Sequence, residues 1–139
     1  VITKPNRREA ARAVQPGWEG KDEEMDLPTI ARFGEALFQR TGKPVYLTMG
    51  AKGIMLCGQE GRKHIPAIPV TGEIDPVGAG DSTMSGIVLA LCAGATLEEA
   101  ALMGNLVASI TIQQIGTTGT ASPAQVLARF LETQGGRIA

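Results

Sequence analysis

The sequence is poor in the residues that build metal centres and disulfide frameworks. Its 139 residues include two cysteines, Cys57 and Cys92, and one histidine, His64. The cysteines form no C-x-x-C pair, so the spacing of a structural zinc site is missing. Cys57 falls in a strand-like run and Cys92 on an apolar helix, and both are predicted to be core thiols. Free core thiols are typical of a reducing compartment, so we expect a cytoplasmic protein.

Charge of one sign and long apolar runs are also scarce. The formal net charge is −1, and aromatic residues make up 4% of the chain. This balance gives no electrostatic footprint for nucleic acid or for an anionic membrane. No apolar run approaches the ~20 residues that span a bilayer. Hydrophobic residues at 43% and charged residues at 19% instead predict a soluble globular domain with a real core.

The segment Ile74–Gly86, IDPVGAGDSTMSG, carries the clearest chemical signal. Apolar residues then recur at helical spacing: Met84, Ile87, Val88 and Leu91. Gly78, Ala79 and Gly80 therefore lie where a loop becomes a helix, and a helix start has unpaired N–H groups with partial positive charge. Small residues let an anion approach these donors, and Asp81 adds a carboxylate beside them.

Anion donors next to a base are what phosphoryl transfer to a hydroxyl requires. The simpler alternative is a glycine turn in which Asp81 only favours the helix start. Two common nucleotide motifs are excluded. The chain contains no G-x-x-x-x-G-K followed by Ser or Thr, and Thr83 stands where a dinucleotide fingerprint needs its third glycine.

The run DPVGAGD resembles the C-terminal signature D-T-x-G-A-G-D of ribokinase-like (PfkB) carbohydrate and nucleoside kinases, with Pro76 in place of the customary Thr. The resemblance implies that Asp81 is the base that takes the proton of the acceptor alcohol. It implies that the Gly78–Gly80 bend is the anion hole for the transferred phosphoryl group. Asp75 matches a position that, in many members, helps to hold a monovalent cation such as K⁺.

A second motif of this family lies near the start of the chain. The run PNRRE matches N-x-x-E, in which Asn6 and Glu9 would organise Mg²⁺ and phosphates, largely through water. Magnesium prefers oxygen ligands and retains waters, so an amide and a carboxylate suit this role. The alternative is that Asn6 caps a helix and Glu9 is a first-turn acid. Because the GAGD motif is present, we favour the functional interpretation.

Two further stretches resemble nucleotide contacts of the family. The run TMGAKG is similar to T-x-G-x-x-G, which implies that Thr48, Gly50 and Gly53 approach the phosphates of ATP. The alternative is a glycine turn between two strands. Asn105, on a predicted helix, matches an Asn near the adenine, and its alternative is a polar residue on the solvent side. His64 is predicted to be a surface residue.

Periodicity and turn residues predict the elements around these motifs. They are a strand end at residues 1–3, a helix from Leu27 to about Gly42, a strand over residues 44–48, a turn over residues 58–62 with a returning strand over residues 63–70, a helix capped by Thr96 through about Gln114, and a final helix ending near Gly135. The fold class is α/β, with the ribokinase-like layered fold, a mostly parallel sheet, an antiparallel hairpin and helices on its faces.

The resemblance covers residues 1–139 but only the C-terminal half of such a kinase. Family members have an N-terminal half with the acceptor pocket and a lid, so we expect a fragment that is inactive alone. The tail, LEEAALMGNLVASITIQQIGTTGTASP, is similar to the heptose-phosphate kinase branch in particular.

The resemblance implies an ATP-dependent kinase of a sugar or sugar-phosphate hydroxyl, with ATP and Mg²⁺ as cofactors. A nucleoside or vitamin-type alcohol is an alternative acceptor. Two other classes stay open: an inactive nucleotide-binding module, and a half-domain that forms a homodimer through an exposed sheet edge.

Overall fold

A computed structural model of the protein describes residues 2–21, 24–117 and 119–138. It divides into two compact units, Val1–Pro66 and Ala67–Ala139. In chain order the elements are α1 (Arg7–Val14), α2 (Leu27–Thr41), β1 (Val45–Thr48), β2 (Ile54–Gly58), β3 (Gly61–Ile65), α3 (Ala79–Cys92), α4 (Leu97–Thr111) and α5 (Pro123–Ile138).

The three strands of the first unit form one sheet in the order β1-β2-β3, and both pairings are antiparallel. The α/β class is confirmed, but the expectation of a mostly parallel sheet is wrong for these strands. Residues 49–53 join β1 to β2, and a connection this short cannot make the crossover that parallel neighbours need. Parallel pairing is found in two isolated bridges, Thr3 with Val45 and Asn6 with Thr48, among the described residues.

The core of the first unit lies between the sheet and its two helices. It includes Ala10, Ala11, Ile30, Phe33, Val45, Leu47 and Met55. Cys57 is fully buried there, as predicted, and burial raises the pKa of its thiol to about 11. A Cβ on Gly34 would lie 2.6 Å from the Cys57 sulfur, so the missing side chain lets α2 approach β2 closely. Cys57 is therefore a packing residue and not a nucleophile.

The ends of these elements follow local chemistry. The Asp26 side chain caps α2, and Gly42 ends it with φ 67°, at the predicted place. β3 ends at Ile65, so the predicted returning strand through Val70 is too long. The next residue, Pro66, has no N–H with which to continue the ladder.

The regular elements of the second unit, in the part that the structure describes, are the helices α3, α4 and α5. A Cβ on Gly86 of α3 would lie 3.0 Å from the carbonyl oxygen of Met103, and one on Gly104 of α4 would lie 2.9 Å from Ile87. These two glycines therefore let α3 and α4 pack at close range. Cys92, predicted to be in the core, is exposed instead.

Arg129 connects α5 to the C-terminal end of α4 through hydrogen bonds. Its guanidinium donates to the Ser109 hydroxyl at 3.0 Å and to the Gln113 amide oxygen at 2.7 Å. α4 ends at Thr111, three residues before its predicted end, and α5 continues past the predicted Gly135 stop to Ile138. In the described parts of the chain, no helix combines the length and apolarity needed to cross a membrane.

Candidate functional site

The start of α3 bends sharply at Gly78. This residue has φ 81° and ψ 0°, a left-handed conformation that favours glycine, and it provides no side-chain cap. A Cβ placed on Gly78 would meet no atom within 4 Å. The backbone conformation, and not a lack of space, therefore selects glycine here, and the bend faces open space.

Most backbone donors at this bend have no hydrogen-bond partner among the described residues. The N–H of Ala79 donates to the carbonyl of Pro76 at 3.0 Å. No hydrogen-bond partner for the N–H groups of Gly78, Gly80 and Asp81 is found among the described residues. Two of the three residues predicted to form the anion hole thus keep a free donor, Ala79 does not, and Asp81 adds one.

Asp81 lies in the first turn of α3 with its side chain exposed. The Ser85 hydroxyl donates to the Asp81 backbone carbonyl at 2.9 Å, which leaves the carboxylate out of this contact. No partner for the carboxylate is found among the described residues. An exposed carboxylate in the first turn of a helix, beside free N–H groups, can accept a proton from a bound alcohol.

Asp75 links two loops of the second unit. One carboxylate oxygen accepts from the N–H of Val77 and the other from the N–H of Gly116, both at 3.1 Å. The Asp75 N–H also donates to the carbonyl of Ile112 at 2.6 Å. The hydrogen bonds from Gly116 and then Val77 lower the pKa of Asp75. Asp75 therefore joins the bend to the loop after α4, and its role toward a cation stays a prediction.

Asn105 lies on the buried face of α4. It is 7% exposed, so the alternative of a polar residue on the solvent side is wrong. It lies next to Gly104, one of the two glycines at the close contact with α3. A buried side-chain amide in a protein is normally hydrogen-bonded. Its predicted position near an adenine stays a prediction.

In the first unit, Asn6 and Glu9 form a capping box at the start of α1. The Asn6 carboxamide oxygen accepts from the N–H of Glu9, and the Glu9 carboxylate accepts from the N–H of Asn6, both at 2.8 Å. The capping alternative is therefore correct as a structural role. The Asn6 amide nitrogen and the second Glu9 oxygen are outside this box, so the predicted magnesium role stays a prediction.

Thr48, Gly50 and Gly53 belong to one turn of the same unit. Thr48 ends β1, a 3₁₀ turn spans Gly50–Lys52, and the glycines have φ 58° and 92°. The N–H of Thr48 donates to the carbonyl of Pro5 at 2.9 Å. With the Asn6–Thr48 bridge, this contact brings the N-x-x-E motif and the T-x-G-x-x-G motif together.

The sequence prediction of the site missed one contact in this unit. His64 is exposed, as predicted, but its Nε2 atom lies 2.6 Å from the carbonyl oxygen of Lys52 in the 3₁₀ turn. The signal was the hairpin register, which places His64 opposite Met55 and near the turn. Among the described residues, no three His, Cys, Asp or Glu side chains cluster to hold a metal ion directly.

Comparison with known proteins decides the family. Residues 1–125 match the pfkB family carbohydrate kinases. The chain belongs to this family. It is 39% identical over 72 residues to inositol 3-kinase of Arabidopsis thaliana, which covers 52% of this chain and 20% of that protein. It is 30% identical over 123 residues to bifunctional protein HldE of Bradyrhizobium sp. (strain ORS 278), which covers 88% of this chain and 24% of that protein.

Solved structures agree on the fold. Ribokinase from Thermotoga maritima matches with a TM-score of 0.76 and 25% identity over 91% of this chain and 41% of that chain. Arabidopsis thaliana ribokinase complexed with ribose and ATP matches with a TM-score of 0.78 and 24% identity over 92% of this chain and 40% of that chain. The ribokinase-like fold and the predicted family resemblance are confirmed. The chain spans 20% and 24% of the lengths of these two curated relatives.

Proposed function

We propose that residues 1–139 are the C-terminal nucleotide-binding and catalytic portion of a longer PfkB kinase. This kinase transfers the γ-phosphoryl group of ATP to a hydroxyl of a sugar or sugar phosphate. Family membership supports a kinase that acts on a sugar or a nucleoside. The observation that carries the more specific proposal is the start of α3, where free N–H groups and the exposed Asp81 carboxylate lie together.

In this proposal the Asp81 carboxylate takes the proton of the acceptor hydroxyl. The hydroxyl oxygen forms a bond to the γ-phosphorus, the bond from that phosphorus to the β,γ-bridging oxygen breaks, and ADP leaves with the electron pair. The free N–H groups of Gly78, Gly80 and Asp81 stabilise the negative charge on the phosphoryl oxygens. Asp81 thus acts both through its side chain and through its backbone.

The remaining predicted residues have supporting roles in this proposal. Thr48, Gly50 and Gly53 bind ATP phosphates. The exposed 3₁₀ turn that begins at the left-handed Gly50 supports this role, whereas Gly53 is buried and closes the turn. Asn105 recognises the adenine. The two cysteines are free thiols, which suits a reducing cytoplasm.

The residues predicted to bind metal ions have oxygen atoms that can still accept a contact. Bound Mg²⁺ supplies charge neutralisation between the phosphates. Asn6 and Glu9 would hold it through its waters, since the capping box uses only one oxygen of the Glu9 carboxylate. Each Asp75 oxygen accepts one N–H and keeps a second lone pair, which suits a neighbouring K⁺.

Two experiments test the proposal at two levels. For the longer kinase, ADP release is measured with sugars, sugar phosphates, inositol and nucleosides, and we expect a sugar or sugar phosphate to be the best acceptor. ATP turnover that is independent of every acceptor, or a preference for nucleosides, would contradict this. For residues 1–139 alone, calorimetry should detect MgATP binding without turnover. Absence of MgATP binding would contradict the nucleotide-binding role. Robust sugar phosphorylation by residues 1–139 would contradict the proposal that they are only a portion of the kinase.

A further inference from the structure

The turn between β1 and β2 depends on hydrogen bonds for its shape. It is closed by the N–H of Met49 to the carbonyl of Gly53 at 2.8 Å, and by the N–H of Gly53 to the carbonyl of Gly50 at 3.1 Å. None of the residues in the 3₁₀ turn Gly50–Lys52 is buried. Packing holds the ends of the turn, because Met49 and Gly53 are buried, but it does little to fix the exposed residues between them. The conformation of this exposed part, which begins at the left-handed Gly50, therefore depends on hydrogen bonds.

His64 ties this turn to the third strand. Its Nε2 atom lies 2.6 Å from the carbonyl oxygen of Lys52, a contact between residues that are 12 positions apart. A carbonyl oxygen only accepts hydrogen bonds, so Nε2 carries the proton and donates. The antiparallel ladder pairs His64 with Met55 and so holds the ring near the turn. The bonds that close the turn are local, whereas this one joins it to a different element.

We propose that His64 is a positioning residue that holds the Thr48–Gly53 turn in the conformation that binds the phosphates of ATP. The inference rests on the nucleotide role of this turn in the proposed function. His64 acts through the Lys52 carbonyl and does not contact the nucleotide. Removing its donor lets the turn sample other conformations, and ATP affinity falls by the fraction of molecules that leave the binding conformation.

The test compares His64 variants that differ in the donor. His64→Phe keeps a ring of similar size without a donor. His64→Gln places an amide N–H at about the reach of Nε2, and His64→Asn carries the same amide on a shorter side chain. Arg62→Gln is the matched control, because Arg62 lies two residues away on the same strand and pairs at 3.9 Å with Glu35 of α2 instead of the turn.

The measurement is MgATP affinity by calorimetry, with the thermal midpoint recorded for each variant. We expect His64→Phe and His64→Asn to weaken binding about 3- to 10-fold, which is the effect of one lost hydrogen bond. His64→Gln and Arg62→Gln should stay within about 2-fold of the unsubstituted chain. If His64→Phe fails to fold, the comparison of His64→Gln with His64→Asn decides the question.

Two results would overturn the inference. One is unchanged affinity in both donor-deficient variants, which would make His64 a surface residue that stabilises only the hairpin. The other is equal weakening in His64→Gln and His64→Asn, which would show that the donor is irrelevant. If the unsubstituted chain binds no MgATP, the nucleotide role itself is contradicted, so this failure is distinct from a failure at His64.

Discussion

The starts of α3 and α4 are alike in the position of an acidic residue, but they differ in how their backbone N–H groups are hydrogen-bonded. Each helix has an acid at its third position, Asp81 in α3 and Glu99 in α4. In α4 the Thr96 hydroxyl accepts from the N–H of Glu99 at 3.2 Å, and the Glu99 carboxylate accepts from the N–H of Thr96 at 2.9 Å. In α3 the equivalent position before the helix is Gly78, which has no side chain to accept anything.

This difference separates stability from function. The α4 capping box uses the Thr96 hydroxyl and the Glu99 carboxylate to satisfy two of the backbone donors at the helix start. The start of α3 lacks this local stabilisation, and it has free N–H groups as well as a free carboxylate. A folded helix start that leaves its donors unpaired on an exposed surface is suited to an external anion.

The largest expected effect distinguishes the two acids. In the longer kinase, Asp81→Asn should lower kcat by roughly 10²–10⁴, the usual scale of a general base. Glu99→Gln, the same kind of change at the same helix position, should leave kcat near that of the unsubstituted enzyme. Steady-state turnover at saturating ATP and acceptor measures both. Near-normal turnover of Asp81→Asn would remove Asp81 as the base.

The next largest effect is expected at Gly78, in comparison with another glycine of positive φ. Gly78→Ala should cost about 1–2 kcal/mol in the free energy of unfolding, because a Cβ is unfavourable at φ 81°. Gly94→Ala is the matched control, with φ 91° and no atom within 4 Å of its Cβ. Urea unfolding should show similar losses for both. Only Gly78→Ala should also reduce turnover, and an equal loss of turnover in Gly94→Ala would contradict a special role for the bend.

A smaller effect is expected at the capped helix. Thr96→Ala removes the hydroxyl that accepts from Glu99 and should lower the free energy of unfolding by about 1 kcal/mol. Turnover at a temperature where the variant is folded should be unchanged. A fall in turnover at such a temperature would mean that α4 also contributes its start to the site.

The smallest effect is a pH dependence. The hydrogen bonds of Thr96 lower the pKa of Glu99, so its contribution to stability is present above the ordinary pKa of about 4.3 and is lost as the pH falls through the folded value. Urea midpoints of the unsubstituted chain and of Glu99→Gln should therefore differ at pH 7 and converge in acid. A constant difference down to the acid limit would show that the pKa of Glu99 is not lowered.

Local chemistry explains which parts of the structure could be predicted. The end of α2 at Gly42 and the capping box at Thr96 depend on neighbours in the chain, and both predictions are confirmed. The bend before Asp81 was also predictable, because a helical period begins next to small residues. These features need no knowledge of the tertiary structure.

Features that depend on contacts between distant residues were not predictable from the sequence. Cys92 is exposed although its helix is apolar on several sides, and Asn105 is buried although it is polar. Their burial depends on which face of each helix meets the other. The Asp75 contact with Gly116 and the His64 contact with Lys52 also join residues that no local pattern pairs.

The most direct test of the central claim is an amide NMR titration of the chain with MgATP. We predict that the backbone N–H resonances of Gly78, Gly80 and Asp81 shift on binding, because these donors meet the phosphates. Those of Glu98 and Glu99 in the capped helix start should not move. Calorimetrically detected binding that leaves Gly80 and Asp81 unmoved would contradict the account.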